Sequence, residues 1–247
     1  MSGHSKWSTI KRKKGALDAK RGKIFGKLSK EISIAAKEGG GDPDMNPRLR
    51  LAIQNAKGAN MPKDNIDRAV KKGSGDDAQS YFELTFEGYA PNGVAVFVEC
   101  LTDNQNRTVQ SVRAAYNKYG GSLGTNGSLE FIFERKGVFS LEMPEGMDQD
   151  DFELELIDGG AGEVEFSEGY VNISCAMEDF GNLNKKLEEL NVHVENAELQ
   201  RIPNTQVALD DEAFLKVMKM IDALEDDDDV QRVYHNMDIT SDQVDLM

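Results

Sequence analysis

The spacing of apolar residues in this chain changes once, at Gly73-Ser74-Gly75-Asp76-Asp77, and that change demands at least two kinds of folding unit. Before it, apolar side chains return every three to four residues, the period of a helix. After it, Phe82, Leu84 and Phe86 alternate with Glu83, Thr85 and Glu87, the period of a half-buried strand. Charge divides at the same place. Residues 1–75 hold 18 Lys and Arg against 7 Asp and Glu, a net +11, whereas residues 76–247 hold 11 against 37, a net −26. A split of this size within one chain points to a basic element for nucleic acid or an anionic membrane surface.

The basic half reads as three helices. Taking 100° per residue, Ile24, Phe25, Leu28, Ile32, Ala35 and Ala36 share an arc of about 120°. Lys20, Lys23, Lys27, Lys30 and Lys37 fall on the other side, so one face suits a core and the other carries lysines. Gly39-Gly40-Gly41 ends this helix. Asn46-Pro47 is an N-cap followed by proline at the first helical position, with Leu49, Ala52, Ile53 and Ala56 as the apolar stripe. Pro62 opens a third helix with Ile66, Ala69 and Val70 inward and Gly73 as its end. Residues 1–15 read as a basic arm anchored by Trp7.

The acidic part reads as α/β. Pro91-Asn92-Gly93 is a hairpin signal leading into the apolar strand Val94–Leu101. Asp103 or Asn104 can cap a helix whose inner stripe is Val109, Val112, Tyr116 and Tyr119. Leu129, Phe131 and Phe133 predict a further alternating strand. From Gly137 the order is strand, helix, strand, strand, helix, strand: Val138–Leu141, Asp151–Ile157, Glu163–Phe166, Tyr170–Cys175, Glu178–Leu190 and Val192–Gln200. This is the split βαβ, ferredoxin-like pattern. Asp210–Leu224 is a helix and Val230–Val233 a short strand. The elements of 81–134 are incomplete alone and are completed if residues 201–236 return to them. The expectation is therefore an α+β multidomain protein: a three-helix basic domain (1–75), a discontinuous α/β module (76–134 with 201–247), and a ferredoxin-like α/β module (135–200) inserted in it.

Enzyme signatures are absent: no GxxxxGK[ST], no GxGxxG after a strand, no HExxH and no GxSxG. His4, His193 and His235 are scattered, and Cys100 and Cys175 lie apart in apolar stretches, as buried thiols of a reducing compartment do. The run Glu225-Asp226-Asp227-Asp228-Asp229 lacks the glycine turn of a calcium loop and reads as a solvated acidic loop. Gly120–Gly127 lacks the lysine and following helix of a phosphate cradle. The expectation is a non-enzyme with no cofactor and no metal. No secretory core segment follows the positive amino terminus, and Val94–Val98 is too short to span a bilayer, which predicts a soluble, cytoplasmic protein with no membrane partner.

The basic segment carries the functional prediction. Between Lys6 and Lys37 stand eleven Lys or Arg and only Asp18 and Glu31. Such density repels itself, and neutralising phosphates relieves it while giving affinity without base readout. The proposed nucleic-acid contacts are Lys6, Lys11, Arg12, Lys13, Lys14, Lys20, Arg21, Lys23 and Lys27, with Arg48 and Arg50 as flankers. An anionic membrane competes less well, because the apolar face is needed for helix packing.

Several segments carry a specific likeness: Gly3-His4-Ser5-Lys6-Trp7, Asp18-Ala19-Lys20-Arg21-Gly22-Lys23-Ile24-Phe25, Gly39-Gly40-Gly41-Asp42-Pro43, Asn46-Pro47-Arg48-Leu49-Arg50 and Asn60-Met61-Pro62. Glu87-Gly88-Tyr89, Asp103–Thr108, Asp229-Val230-Gln231 and Tyr234-His235-Asn236 extend it along the whole chain. Together they resemble the YebC/PmpR family. The resemblance implies three domains, one α/β domain inserted in another, and a non-enzymatic role. Members are described as DNA-binding transcriptional regulators; others, including a mitochondrial activator of cytochrome oxidase subunit synthesis, act in translation at the ribosome. DNA and ribosomal RNA present the same phosphates, so charge leaves both open: a DNA-binding regulator, or a ribosome-associated factor on rRNA or tRNA.

Overall fold

Helices precede sheets in the chain, as the two apolar periods require. The computed structural model describes residues 18–75, 80–167 and 169–246, with side chains from Arg21 onward. Its helices and strands follow in the order α1 (Asp18–Gly39), α2 (Pro47–Gly58), α3 (Lys63–Ser74), β1 (Phe82–Tyr89), β2 (Ala95–Thr102), α4 (Gln105–Tyr119), β3 (Ser122–Leu123) and β4 (Phe133–Glu142). Then come α5 (Gln149–Asp158), β5 (Glu163–Ser167), β6 (Tyr170–Ala176), α6 (Phe180–Glu189), β7 (Val194–Pro203), β8 (Val207–Ala208), α7 (Asp211–Glu225), β9 (Val230–His235), β10 (Met237–Asp238) and α8 (Ser241–Val244). The protein is a mixed α+β, multidomain chain with amino-terminal helices, two four-stranded sheets with antiparallel pairing and a short parallel pair, β8 with β10.

Two compact units divide it. One joins the chain up to Lys27 with Gln79–Glu134 and Ile202–Met247; the other takes Leu28–Ala78 with Arg135–Arg201. In the second unit, Ile32, Ala35 and Ala36 of α1, Leu49, Ala52 and Ala56 of α2, and Ile66 and Ala69 of α3 are buried. Asn46 caps α2 by accepting from Leu49 N (3.1 Å), and its amide donates to Ala35 O (2.7 Å) and Gly40 O (2.9 Å). One buried side chain thus ends α1 and begins α2. Glycine lets α3 approach α1: a Cβ at Gly73 would lie 2.1 Å from Ser33 O. Ile24, predicted for the core face, is instead 39% exposed; the turns of α1 that are buried in the helical core begin at Ile32.

The same unit contains the second sheet, in spatial order β5-β6-β4-β7, with β6 antiparallel to both β4 and β5. Its core is Phe139, Leu141, Phe152, Leu156, Val171, Ile173, Leu183 and Leu187, with Leu51 of α2 packed at its edge. The strand–helix–strand–strand–helix–strand order, with spatial order second, third, first, fourth, is the predicted ferredoxin-like module. β4 starts at Phe133, so the expected strand at 129–133 does not form. Residues 128–132 are a turn, with Leu129, Ile132 and Phe133 buried and Phe131 72% exposed. Three of these four apolar residues reach the core at helical rather than alternate spacing.

In the first unit the sheet order is β3-β1-β2-β9, with each neighbouring pair antiparallel. Counted from β2, this is again second, third, first, fourth, with β1 supplying the third strand from the start of the unit. The return of α7 and β9 after the intervening module completes it, as the element order requires. Val96, Val98, Cys100, Val112, Tyr116, Phe214, Val217, Ile221 and Leu224 form its core. Asn92 (φ 62°) and Gly93 (φ 76°) provide the left-handed turn between β1 and β2.

Candidate nucleic-acid interface

α1 begins in the first unit, where its lysines meet the carboxyl end of α7. Lys23 Nζ donates to Asp226 Oδ1 at 2.7 Å and to Asp226 O at 3.3 Å, and Lys27 Nζ donates to Glu225 O at 3.1 Å. The last carbonyls of a helix lack intrahelical partners and carry the negative end of its dipole, so two ammonium groups suit this place. The helical wheel sets these lysines opposite the core stripe, where they are expected phosphate contacts. The structure gives both of them internal acceptors.

The acidic run that receives them is built, and it differs from the solvated loop expected. Asp229 is 4% exposed. Its Oδ2 accepts from Arg107 Nε (3.0 Å), Arg107 Nη2 (2.6 Å) and Thr108 Oγ1 (3.0 Å), while its carbonyl accepts from Leu101 N (2.7 Å). Arg107 also donates to Asp103 Oδ1 at 2.8 Å, and these bonds, that to Asp229 first, hold its guanidinium above its ordinary pKa. Asp227 accepts from Ser111 Oγ (2.5 Å) and from Asp229 N (2.9 Å). Asn104 caps α4 through Arg107 N (3.1 Å). The polar start of α4 and the acidic run, more than a hundred residues apart in the sequence, form one network whose exposed edge is presented to Lys23 and Lys27.

The other predicted contacts are placed as follows. Arg21 lies on the exposed side of α1. In the second unit Arg48 donates to Glu38 Oε2, and Arg50 donates to Pro43 O (3.1 Å) and Asp44 O (3.2 Å), closing the α1–α2 turn. Lys6, Lys11, Arg12, Lys13, Lys14 and the Lys20 side chain lie outside the described residues, as does Trp7. Among the described residues no group of three or more His, Cys, Asp or Glu could hold a metal ion, and no helix is long and apolar enough to cross a membrane.

Sequence comparison decides the family. A model described as the TACO1/YebC protein N-terminal domain matches residues 5–76, and one described as the TACO1/YebC second and third domain matches residues 81–237. The chain belongs to the TACO1/YebC family. A probable transcriptional regulatory protein of Amoebophilus asiaticus is 55% identical over 239 residues, covering 96% of this chain and 98% of that one. The probable transcriptional regulatory protein YrbC of Bacillus subtilis is 50% identical over 238 residues, covering 96% and 99%. The crystal structure of a conserved hypothetical protein from Aquifex aeolicus superimposes with a TM-score of 0.80 at 42% identity, covering 91% of this chain and 93% of its own.

In this TACO1/YebC chain the glycine-rich segment after β3 is also explained. Glu87, expected on the outer side of β1, is buried, and its carboxylate accepts from Gly127 N and Leu129 N, both at 2.7 Å. An internal carboxylate therefore takes the place an anion would occupy among these amides. Replacing Glu87 by Gln leaves one amide facing an NH2 group, and we expect a loss of about 1–3 kcal/mol in urea unfolding. Cys100 and Cys175 are buried, and burial pushes their thiols up to about 12 and about 11. Neither is poised as a nucleophile near neutral pH.

Proposed function

We propose that this TACO1/YebC protein is a non-enzymatic, cytoplasmic regulator that binds nucleic acid, most directly DNA in transcriptional control, by gripping phosphates through its basic amino-terminal segment. The observation that carries the reading is the concentration of eleven Lys and Arg between Lys6 and Lys37 in a chain whose remaining part is strongly acidic. The names of the Amoebophilus and Bacillus relatives support the regulatory role. Lys6, Lys11, Arg12, Lys13, Lys14, Lys20 and Arg21 form the primary grip, Lys23 and Lys27 extend it, and Arg48 and Arg50 are flankers. We assign this role to a domain of residues 1–75, with 76–134 plus 201–247 and the inserted 135–200 as acidic modules held away from phosphate by their own charge.

The test is a salt titration of the full chain on a mixed-sequence duplex DNA and, separately, on a structured ribosomal RNA fragment. Replacing Lys11, Arg12, Lys13 and Lys14 together by Ala is expected to weaken binding by roughly tenfold or more, and to flatten the salt dependence by about 0.9 per lost duplex phosphate contact. An unchanged slope overturns the assignment. Because the phosphates are shared, binding confined to the RNA, with co-sedimentation on ribosomes, would replace the transcriptional reading by one in translation.

A further inference from the structure

We propose that the carboxyl end of α7 and the acidic run behind it act as an internal substitute for phosphate, which nucleic acid must displace from Lys23 and Lys27. The inference rests on the function proposed above and adds a regulation to that site. Lys23 spends two of its three ammonium donors on Asp226, one on the side chain and one on the carbonyl, and Lys27 spends one on Glu225 O. These are an anion and two helix-end carbonyls, the nearest protein equivalent of a cluster of phosphate oxygens.

The run is also held in place before any lysine arrives. Asp229 is fixed by Arg107 and Thr108, and Asp227 by Ser111, so Asp226 is offered from an ordered loop. A phosphate approaching Lys23 meets Asp226, and with it the charges of Asp227 and Asp228, so the two anions exclude each other. The contact is nonetheless easy to break. Lys23 and Asp226 side chains are 45% and 74% exposed, and an exposed pair of this kind is weak and screened by salt. A long polyanion that already holds the preceding basic residues can outcompete it; an isolated phosphate cannot. The device therefore lowers affinity at Lys23 and Lys27 even for continuous nucleic acid, by the modest amount that an exposed pair is worth.

The experiment uses the full chain with Asp226→Asn, and with Asp238→Asn, an exposed acid of the same unit on β10, as the charge-matched control. Binding to mixed-sequence duplex DNA and to an RNA hairpin is measured from about 50 to about 200 mM salt. We expect Asp226→Asn to tighten binding by roughly three- to tenfold beyond the control. We also expect Lys23→Gln to weaken the Asp226→Asn variant several-fold more than it weakens the parent chain. Equal gains from the two Asn variants, or an equal effect of Lys23→Gln in both backgrounds, overturn the inference while leaving nucleic-acid binding intact. Failure of parent and variants alike to bind either probe at the lowest salt removes the functional reading, and this inference with it.

Discussion

Replacing Asp229 by Ala is expected to lower stability by about 2–3 kcal/mol, seen as a fall of about 4–12 °C in the thermal midpoint of the chain. The size follows from what the carboxylate serves. It is buried, and a single oxygen accepts from two guanidinium nitrogens and a threonine hydroxyl. Removing it takes one of two acceptors from the buried Thr108, whose hydroxyl keeps Asn104 O (3.1 Å), and opens a void beneath the loop that ends at β9. Arg107 is half exposed and can turn to water, so the effect stays below that of breaking a fully buried ion pair. Asp229→Asn keeps the shape and one acceptor, and should lose about half as much. Asp103→Asn, which removes only the exposed arm of the network, should fall within about 0.5 kcal/mol of the parent. If urea unfolding ranks the three variants in any other order, Asp229 is not the centre of the network.

Much of this architecture is legible in the sequence because its signals are local. Asn46-Pro47 announces a cap from neighbouring residues, and Asn92-Gly93 announces a left-handed turn. The order of strands and helices after Gly137 gives the ferredoxin-like sheet without any long-range information. The misread places share one cause, a partner far away in sequence. Glu87 occupies an outward position in the alternation of β1, yet it is buried because amides forty residues later need an acceptor. The strand expected through Phe131 gives way to a turn for the same reason: Glu87 fixes Gly127 and Leu129, and Leu129, Ile132 and Phe133 then fill the sheet face beside Phe97. The internal acceptors of Lys23 and Lys27 are not legible on a helical wheel, which contains α1 alone and not the end of α7. The acidic run reads as a solvated loop because composition cannot tell Asp226, which is exposed, from Asp229, which is buried. The Asp103–Thr108 and Asp229-Val230-Gln231 segments each carry the family likeness separately, and only the fold shows that they are two sides of one hydrogen-bonded network.

Gly58→Ala is expected to lower stability by about 3 kcal/mol or more, although it adds one methyl group at the end of a helix and alanine is the better helix former. A Cβ at this position would lie 1.8 Å from Glu195 O and 2.7 Å from Glu195 Cα, both backbone atoms of β7. Neither can be relieved by turning a side chain, so α2 and β7 must move apart. Separation is resisted three residues earlier, where Asn55 is buried and its amide donates to Ala197 O (2.8 Å) and accepts from Ala197 N (2.9 Å). The strand thus uses Asn55 as it would use a neighbouring strand, and a shift that accommodates the methyl group breaks both bonds at once. This coupling gives the prediction its check. Asn55→Ala alone should be destabilising by about 2–3 kcal/mol, and the Gly58→Ala/Asn55→Ala double variant should be less unstable than the two losses added together, because the first substitution has already removed what the second would break. Strictly additive losses would mean that α2 accommodates the methyl group without leaving β7, and that the close approach at Gly58 and the amide bridge at Asn55 are independent contacts.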